Sequence, residues 1–227
     1  MEKTFEEACV CVRAIMEGRW RAAGDEEKAR ILEREKRAIM GYEEEILDYQ
    51  KTISEILREE GLGTVPCPAW YRDAAEGVFA ELYGLAGLTP WVYDATPAYR
   101  DSSSAKLIGN RLYCLIDGKS VLQPQRISRD RRAQLRRALL LSTPQERAEK
   151  GFHEIYLHNG IRVTIYAGER TKPEQDIMVF RKYLLKELTL ENLAELGTIP
   201  KEAIPLFRGM IRVGFNILIG GPVRSGK

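Results

Sequence analysis

Seven residues at the C-terminal end of the sequence have the types and the spacing that bind phosphate groups. They are Gly221, Pro222, Val223, Arg224, Ser225, Gly226 and Lys227. The pattern fits G-x-x-x-x-G-K, in which glycines let the backbone fold around an anion so that successive N–H groups point at its oxygens. The lysine brings a positive charge to the β- and γ-phosphates. The spacing therefore predicts a phosphate-binding loop for a nucleotide, with Lys227 as its catalytic cation.

Two residues of this loop depart from the usual pattern. Pro222 has no backbone N–H to donate, and Arg224 is unusual at its position. The serine or threonine hydroxyl that holds Mg²⁺ in such loops is expected directly after Lys227. Because that ligand and the downstream catalytic groups would lie beyond Lys227, we expect this chain to be inactive as an ATPase by itself.

The segment before the loop has the pattern needed to position it. Residues 215–219 are apolar apart from Asn216, which predicts a buried parallel strand that leads into the loop. Two short helices are predicted between residues 189 and 214. The first ends at Gly197, and the second has Thr198 as its N-cap and ends at Gly214.

Residues 105–181 change to the period of β-strands. Turn sequences at 109–110, 117–118 and 158–160 separate runs that are rich in β-branched and aromatic residues. The predicted strands cover residues 106–108, 111–116, 120–122, 154–157, 162–166 and 176–181, and a predicted helix covers 129–141. Strands with one or two covering helices predict an α+β domain with an antiparallel sheet.

The first 60 residues are predicted to be helical. An apolar stripe from Ile39 to Ile56 alternates steps of three and four residues, and Leu32 extends it upstream. This stripe packs on the helix of residues 4–17 or on the next domain, or else it mediates self-association. After a turn-rich break at 61–68, a helix is predicted over 70–85, with Pro90 blocking its continuation.

Two other groups of residues could do chemistry. The arginines Arg126, Arg129, Arg131, Arg132, Arg136 and Arg137 could form a basic patch for nucleic acid. However, they mostly lie opposite Leu135 and Leu139 on the predicted helix, and no aromatic residues are interleaved among them. A solvated face or a subunit contact is therefore predicted, which disfavours nucleic acid as a partner. His153 and His158 lack a paired nucleophile or carboxylate, so they give little support to general-base catalysis.

The composition is that of an ordinary globular chain. Its 227 residues are 44% hydrophobic and 30% charged, with a formal net charge of +2. No apolar run is long enough to predict a transmembrane helix, and the first residues lack the layout of a signal peptide. The four cysteines are too scattered for a disulfide framework. We therefore expect a cytoplasmic protein with reduced thiols.

Several short motifs in the last third of the sequence resemble, in their order, those of the secretion ATPases. Residues 160–163 read G-I-R-V, residues 177–183 read I-M-V-F-R-K-Y and residues 188–193 read L-T-L-E-N-L. They are followed by G-T-I at 197–199 and by N-I-L-I at 216–219, just before the loop. This family powers type II secretion, type IV pilus and Tad/Flp pilus assembly, and type IV secretion.

The residue patterns and the resemblance together predict three parts of the chain, although the resemblance does not extend to the first 60 residues. Residues 1–60 would be a helical N-terminal region, and residues 68–183 the α+β N-terminal domain of the family. Residues 184–227 would be a linker, helices, a strand and the Walker A loop that begin a RecA-like α/β domain. In this family nucleotide lies between the two domains, which implies that Arg162 and Arg181 reach the terminal phosphates of ATP.

The resemblance also implies partners and a location. The complete protein would be a homo-hexamer that hydrolyses ATP with Mg²⁺. It would sit in the cytoplasm, at the inner face of the membrane, through a membrane platform protein. Two alternatives stay open: a non-enzymatic adaptor that assembles a ring, and another P-loop NTPase that acts on nucleic acid.

Overall fold

A computed structural model of the chain describes residues 3–93, 96–143, 151–172, 175–183 and 189–221. The chain divides into two compact units, residues 1–184 and residues 185–227. A six-stranded antiparallel sheet and a set of helices make up the first unit. The predicted α+β class is therefore confirmed for this part of the chain, whereas the start of a P-loop domain is not seen.

The sheet is built from two three-stranded meanders. Its strands are β1 Ser104–Ile108, β2 Arg111–Ile116, β3 Lys119–Arg126, β4 Phe152–Tyr156, β5 Arg162–Tyr166 and β6 Ile177–Arg181. The strand order is β3-β2-β1-β6-β5-β4, so that β1 and β6 join the two meanders at the centre. Gly109 and Gly118 have positive φ angles in the two tight turns of the first meander, as predicted from the turn sequences.

The helices of the first unit lie before and between the strands. They are α1 Phe5–Ala22, α2 Asp25–Met40, α3 Glu43–Glu59, α4 Ala74–Leu82, α5 Thr89–Val92, α6 Pro97–Arg100 and α7 Arg129–Leu141. The bounds of α7 are those predicted from the sequence. The predicted helix over 70–85 is shorter than expected, because the Asp73 side chain caps α4 by accepting from the Glu76 N–H. Pro90 lies in the first turn of α5, where its missing N–H costs no helical hydrogen bond.

The apolar stripe of the helical region packs as predicted, but it is shorter than predicted. Ile46, Ile53 and Ile56 of the apolar stripe are buried against α1 and α4 in one hydrophobic cluster, which favours packing over self-association. The extension to Leu32 is wrong, because this side chain is 48% exposed. The helix is also interrupted, since Gly41 adopts a left-handed conformation that ends α2.

The two faces of the sheet differ in burial. One face forms the main core, in which Leu107, Val163 and Phe180 pack with Trp91 and with Leu139 of α7. The other face, the outer sheet face, consists of the even-numbered residues of β1, β4 and β5, the odd-numbered residues of β2 and β6, and Ser120, Leu122 and Arg126 of β3. Only Ser104 of this face is buried.

The second unit contains two short helices, α8 Leu190–Glu195 and α9 Ile204–Arg212. The predicted N-cap at Thr198 is wrong, because a 3₁₀ turn over Lys201–Ala203 precedes α9. The predicted strand over 215–219 is also not formed, and Leu218 is 98% exposed. A buried parallel strand needs neighbouring strands for its N–H and C=O groups, and none of the described strands pairs with this segment.

Candidate functional site

The two arginines predicted from the motifs lie directly opposite each other in the sheet. Arg162 begins β5 and Arg181 ends β6, and their Cα atoms are register partners in the antiparallel pair. Directly opposite residues share a face, and their Cβ atoms are about 4.5–5.5 Å apart. Two arginine side chains thus start from neighbouring positions on the outer sheet face, at one end of β5 and β6.

Only one of these arginines has an ionic partner in the described part of the chain. Arg162 Nη1 lies 3.8 Å from Glu154 Oε2, and both side chains are partly exposed. Glu154 Oε1 accepts a hydrogen bond of 3.3 Å from the Tyr156 hydroxyl. The Arg181 side chain is exposed and has no hydrogen bond or ion pair with any described residue. The pair therefore carries an excess of positive charge that a phosphate group would neutralise.

Lys182 fixes the end of β6 that carries Arg181. Its backbone N–H donates to Ser103 O (3.1 Å), and its Nζ donates to Tyr99 O (2.6 Å) and Trp91 O (3.3 Å). The ammonium group also lies 4.6 Å from the centre of the buried Trp91 ring. Trp91 is itself held by a 2.7 Å hydrogen bond from Nε1 to Ser102 Oγ. These contacts orient the backbone from which the Arg181 side chain projects.

Sequence reasoning missed Glu154 and Lys182. Glu154 could have been found, because strand alternation places it on the same face as Arg162 once β4 and β5 are recognised as a hairpin. No sequence signal points to Lys182, since its acceptors lie in helices that are distant along the chain. Tyr156 also lies beside the arginine pair, and its side chain is 54% exposed.

The predicted phosphate-binding loop lies almost entirely outside the described residues. Gly221 is described, whereas Pro222, Val223, Arg224, Ser225, Gly226 and Lys227 are not. The assignment of this loop therefore stays a prediction from the sequence. Among the residues described up to Gly221, no group of three or more His, Cys, Asp or Glu side chains could hold a metal ion.

The solvated face predicted for the arginines of α7 is only partly formed, since Arg129 and Arg137 are exposed but three other arginines are not. Arg131 Nη2 donates to Ala80 O (3.2 Å) and Gly84 O (2.8 Å) at the end of α4, and Arg136 Nη1 donates to Asp176 Oδ2 (2.7 Å). Arg132 is buried. Burial lowers the pKa of Arg131 to about 10, so that this guanidinium stays charged at neutral pH. Arg131 and Arg136 therefore join elements of the fold, and with the buried Arg132 they do not form an open basic patch.

Neither histidine belongs to a catalytic constellation of described residues. His153 is buried on the core face of β4. His158 stacks on Tyr42 with ring centroids 3.9 Å apart, and its backbone N–H donates to Met40 O (2.7 Å). Both residues have roles in packing, and His158 joins the end of α2 to the turn between β4 and β5.

Comparisons with known proteins give a limited result. No family model matches the chain, and no curated protein matches it either. Among solved structures, the VirB11 ATPase from the Brucella suis type IV secretion system, in complex with sulphate, is similar with a TM-score of 0.42 and 14% sequence identity. The match covers 56% of this chain and 40% of that chain, so this chain spans less than half of its length. A likeness this low does not establish a shared function. In the described parts of the chain, no helix is both long and apolar enough to cross a membrane.

Proposed function

We propose that this chain is the N-terminal part of a secretion or pilus-assembly ATPase that binds and hydrolyses ATP to power protein export or pilus assembly. The register of β5 and β6 is the observation that carries the proposal. It places Arg162 and Arg181 at directly opposite positions on one face. These are the two arginines that the family resemblance implies. Random placement on two strands would as readily have put them on opposite faces or at different ends.

In this proposal the two arginines bind the terminal phosphates of ATP, and residues 221–227 wrap the β- and γ-phosphates. Guanidinium groups suit this role because they are always charged and donate two parallel hydrogen bonds to phosphate oxygens. They also stabilise the negative charge that spreads over the oxygens of the transferred phosphoryl group. Lys227 would neutralise the β- and γ-phosphates, and Mg²⁺ would bind to the hydroxyl expected after it.

Glu154 gives Arg162 a counter-charge when no phosphate is bound. Because its distance to Arg162 is 3.8 Å and both side chains are partly exposed, the ion pair is weak and can be exchanged for a phosphate.

The proposal extends to a homo-hexameric assembly and to a membrane platform protein as partner.

ATP turnover tests this proposal. It is measured on the complete protein that the coding sequence specifies. We expect Lys227→Ala to abolish turnover, and Arg162→Gln or Arg181→Gln to lower kcat by about 10³-fold, as for other arginines that stabilise phosphoryl transfer. Arg58→Gln, at an exposed position at the end of α3, is the matched control and should leave kcat unchanged. Wild-type kcat in both sheet variants would contradict the assigned roles.

A further inference from the structure

The outer sheet face carries an unusual set of side chains for an open antiparallel sheet. Its basic residues are Lys106, Arg111, Arg126, Arg162 and Arg181, and Glu154 is the one acidic residue among its strand positions. The face also carries four aromatic side chains, Tyr113, Phe152, Tyr156 and Tyr166. We infer that this face binds single-stranded nucleic acid, with its cations on the phosphates and its aromatic rings stacked on bases.

Four of the five cations of this face have no ionic partner among the described residues, the exception being Arg162 with Glu154. Lys106, Arg111 and Arg181 make no side-chain hydrogen bond or ion pair with any described residue. Arg126 donates only to backbone carbonyl groups of its own strand, those of Gln123, Pro124 and Gln125. The face therefore has a net positive potential, which is the electrostatic property that attracts a polyanion.

The aromatic residues lie on both sides of these charges. Phe152 and Tyr166 pack edge to face at one end of β4 and β5, with centroids 5.3 Å apart, and Phe152 is 43% exposed. Tyr156 lies at the other end of β4, and Tyr113 lies on β2, beyond the central strand that carries Lys106. Exposed rings on an open sheet are platforms on which bases stack, whatever their sequence.

A protein partner fits this face less well. The centres of protein interfaces are depleted of charged residues, because an unpaired charge is costly to bury. Here the central strands β1 and β6 carry Lys106 and Arg181. A strand of nucleic acid brings a phosphate for each cation and a base for each ring. This inference does not depend on the proposed ATP site, since it includes residues at the opposite end of the sheet.

Fluorescence anisotropy with a labelled oligothymidylate of about 16 nucleotides, a length within the range of known single-strand sites, tests the inference. We expect saturable binding by the 227-residue chain. The binding should weaken between about 50 and 200 mM salt. A plot of the logarithm of the binding constant against the logarithm of the salt concentration should have a slope of about −2 to −3.5, as for about three to five phosphate contacts. Lys106→Gln should make this slope shallower by about 0.7.

The aromatic contribution is tested at Phe152. Phe152→Leu should weaken binding about fivefold or more because it removes a stacking surface, whereas Phe152→Tyr should bind as the wild type does. Arg58→Gln serves as the control for charge lost elsewhere, and circular dichroism checks that each variant is folded. Absence of binding at low salt would overturn the inference. Binding that ignores Phe152→Leu, and that polyphosphate matches in strength, would overturn it in favour of a simple polyanion site.

Discussion

Arg162 and Arg181 lie side by side in an arrangement that a sheet selected only for stability would avoid. Like charges at directly opposite positions of an antiparallel pair repel each other. Glu154 relieves the repulsion only in part, since it pairs with one of the two arginines. Because part of the repulsion remains, removal of one arginine should make the free protein more stable.

We expect Arg181→Gln to raise the free energy of unfolding by about 0.2–1 kcal/mol in the absence of phosphate compounds, because the repulsion with Arg162 is lost. Urea unfolding followed by circular dichroism measures this change. Arg58→Gln, which removes an exposed arginine from a helix, should leave the free energy within about 0.5 kcal/mol of the wild-type value. A loss of stability in Arg181→Gln would show that the arginine pair is not strained.

The sequence predicted these two arginines but not the residues around them. Arg162 and Arg181 stand in short motifs, whereas Lys182 acts through the carbonyl groups of Trp91 and Tyr99, which are far away along the chain. Contacts of this kind depend on how α5 and α6 approach the end of β6. Local pattern and residue type contain no information on that approach.

At the scale of elements, α7 shows where helical periodicity stops being informative. The pattern gave its bounds correctly, yet two of the arginines assigned to a solvated face are wholly or largely enclosed, because α7 packs on α2 as well as on the sheet. Its N-terminus is capped by Ser128 Oγ, which accepts from the Arg131 N–H (3.2 Å). A helix with neighbours on two sides has a narrower solvated face than its sequence indicates.

Arg131→Met tests how strongly α7 holds α4. The substitution removes the donors to Ala80 O and Gly84 O and leaves carbonyl groups at a helix end without partners, which should lower the free energy of unfolding by about 1–3 kcal/mol. Arg137→Met, an exposed position of the same helix, should cost less than about 0.5 kcal/mol. Equal effects of the two substitutions in urea unfolding would exclude a capping role for Arg131.

In the first unit as a whole, two hydrophobic clusters bury or partly bury several weakly acidic side chains, which are cysteine thiols and tyrosine hydroxyls. Burial, with the Glu81 carboxylate as a further cause at Cys9, raises the pKa of the Cys9 and Cys114 thiols to about 12. Burial likewise raises the pKa of Tyr83 to about 12. Because these groups keep their protons more firmly in the folded chain, their contribution to stability is complete below pH 9 and is lost as the pH rises toward 12.

We therefore expect the free energy of unfolding to fall between about pH 9 and pH 11, where the thiols of the unfolded chain ionise and those of the folded chain keep their protons. Cys9→Ala should make this fall smaller, because one of the retained protons is absent. Urea unfolding at both pH values measures the effect. A free energy that stays constant or rises over this interval, in the wild type, would contradict the raised thiol pKa values.

The outer sheet face could not have been recognised from the sequence, although each of its strands was predicted. Its cations and rings come from six strands, and no single segment contains more than a few of them. The prediction against nucleic acid rested on the basic run at α7, because this run is visible in the sequence. The order of the strands, and above all the pairing of β1 with β6, decides which side chains become neighbours.

That central pairing also has a consequence for how the chain acquires its structure. The first meander closes through two tight turns, and the second closes through residues 157–161 and 167–176, so that both can form from local contacts. By contrast, β1 and β6 pair across the whole sequence from β2 to β5. Contacts between segments so distant along the chain slow the search for the native state. We expect the joining of the two meanders to limit the folding rate.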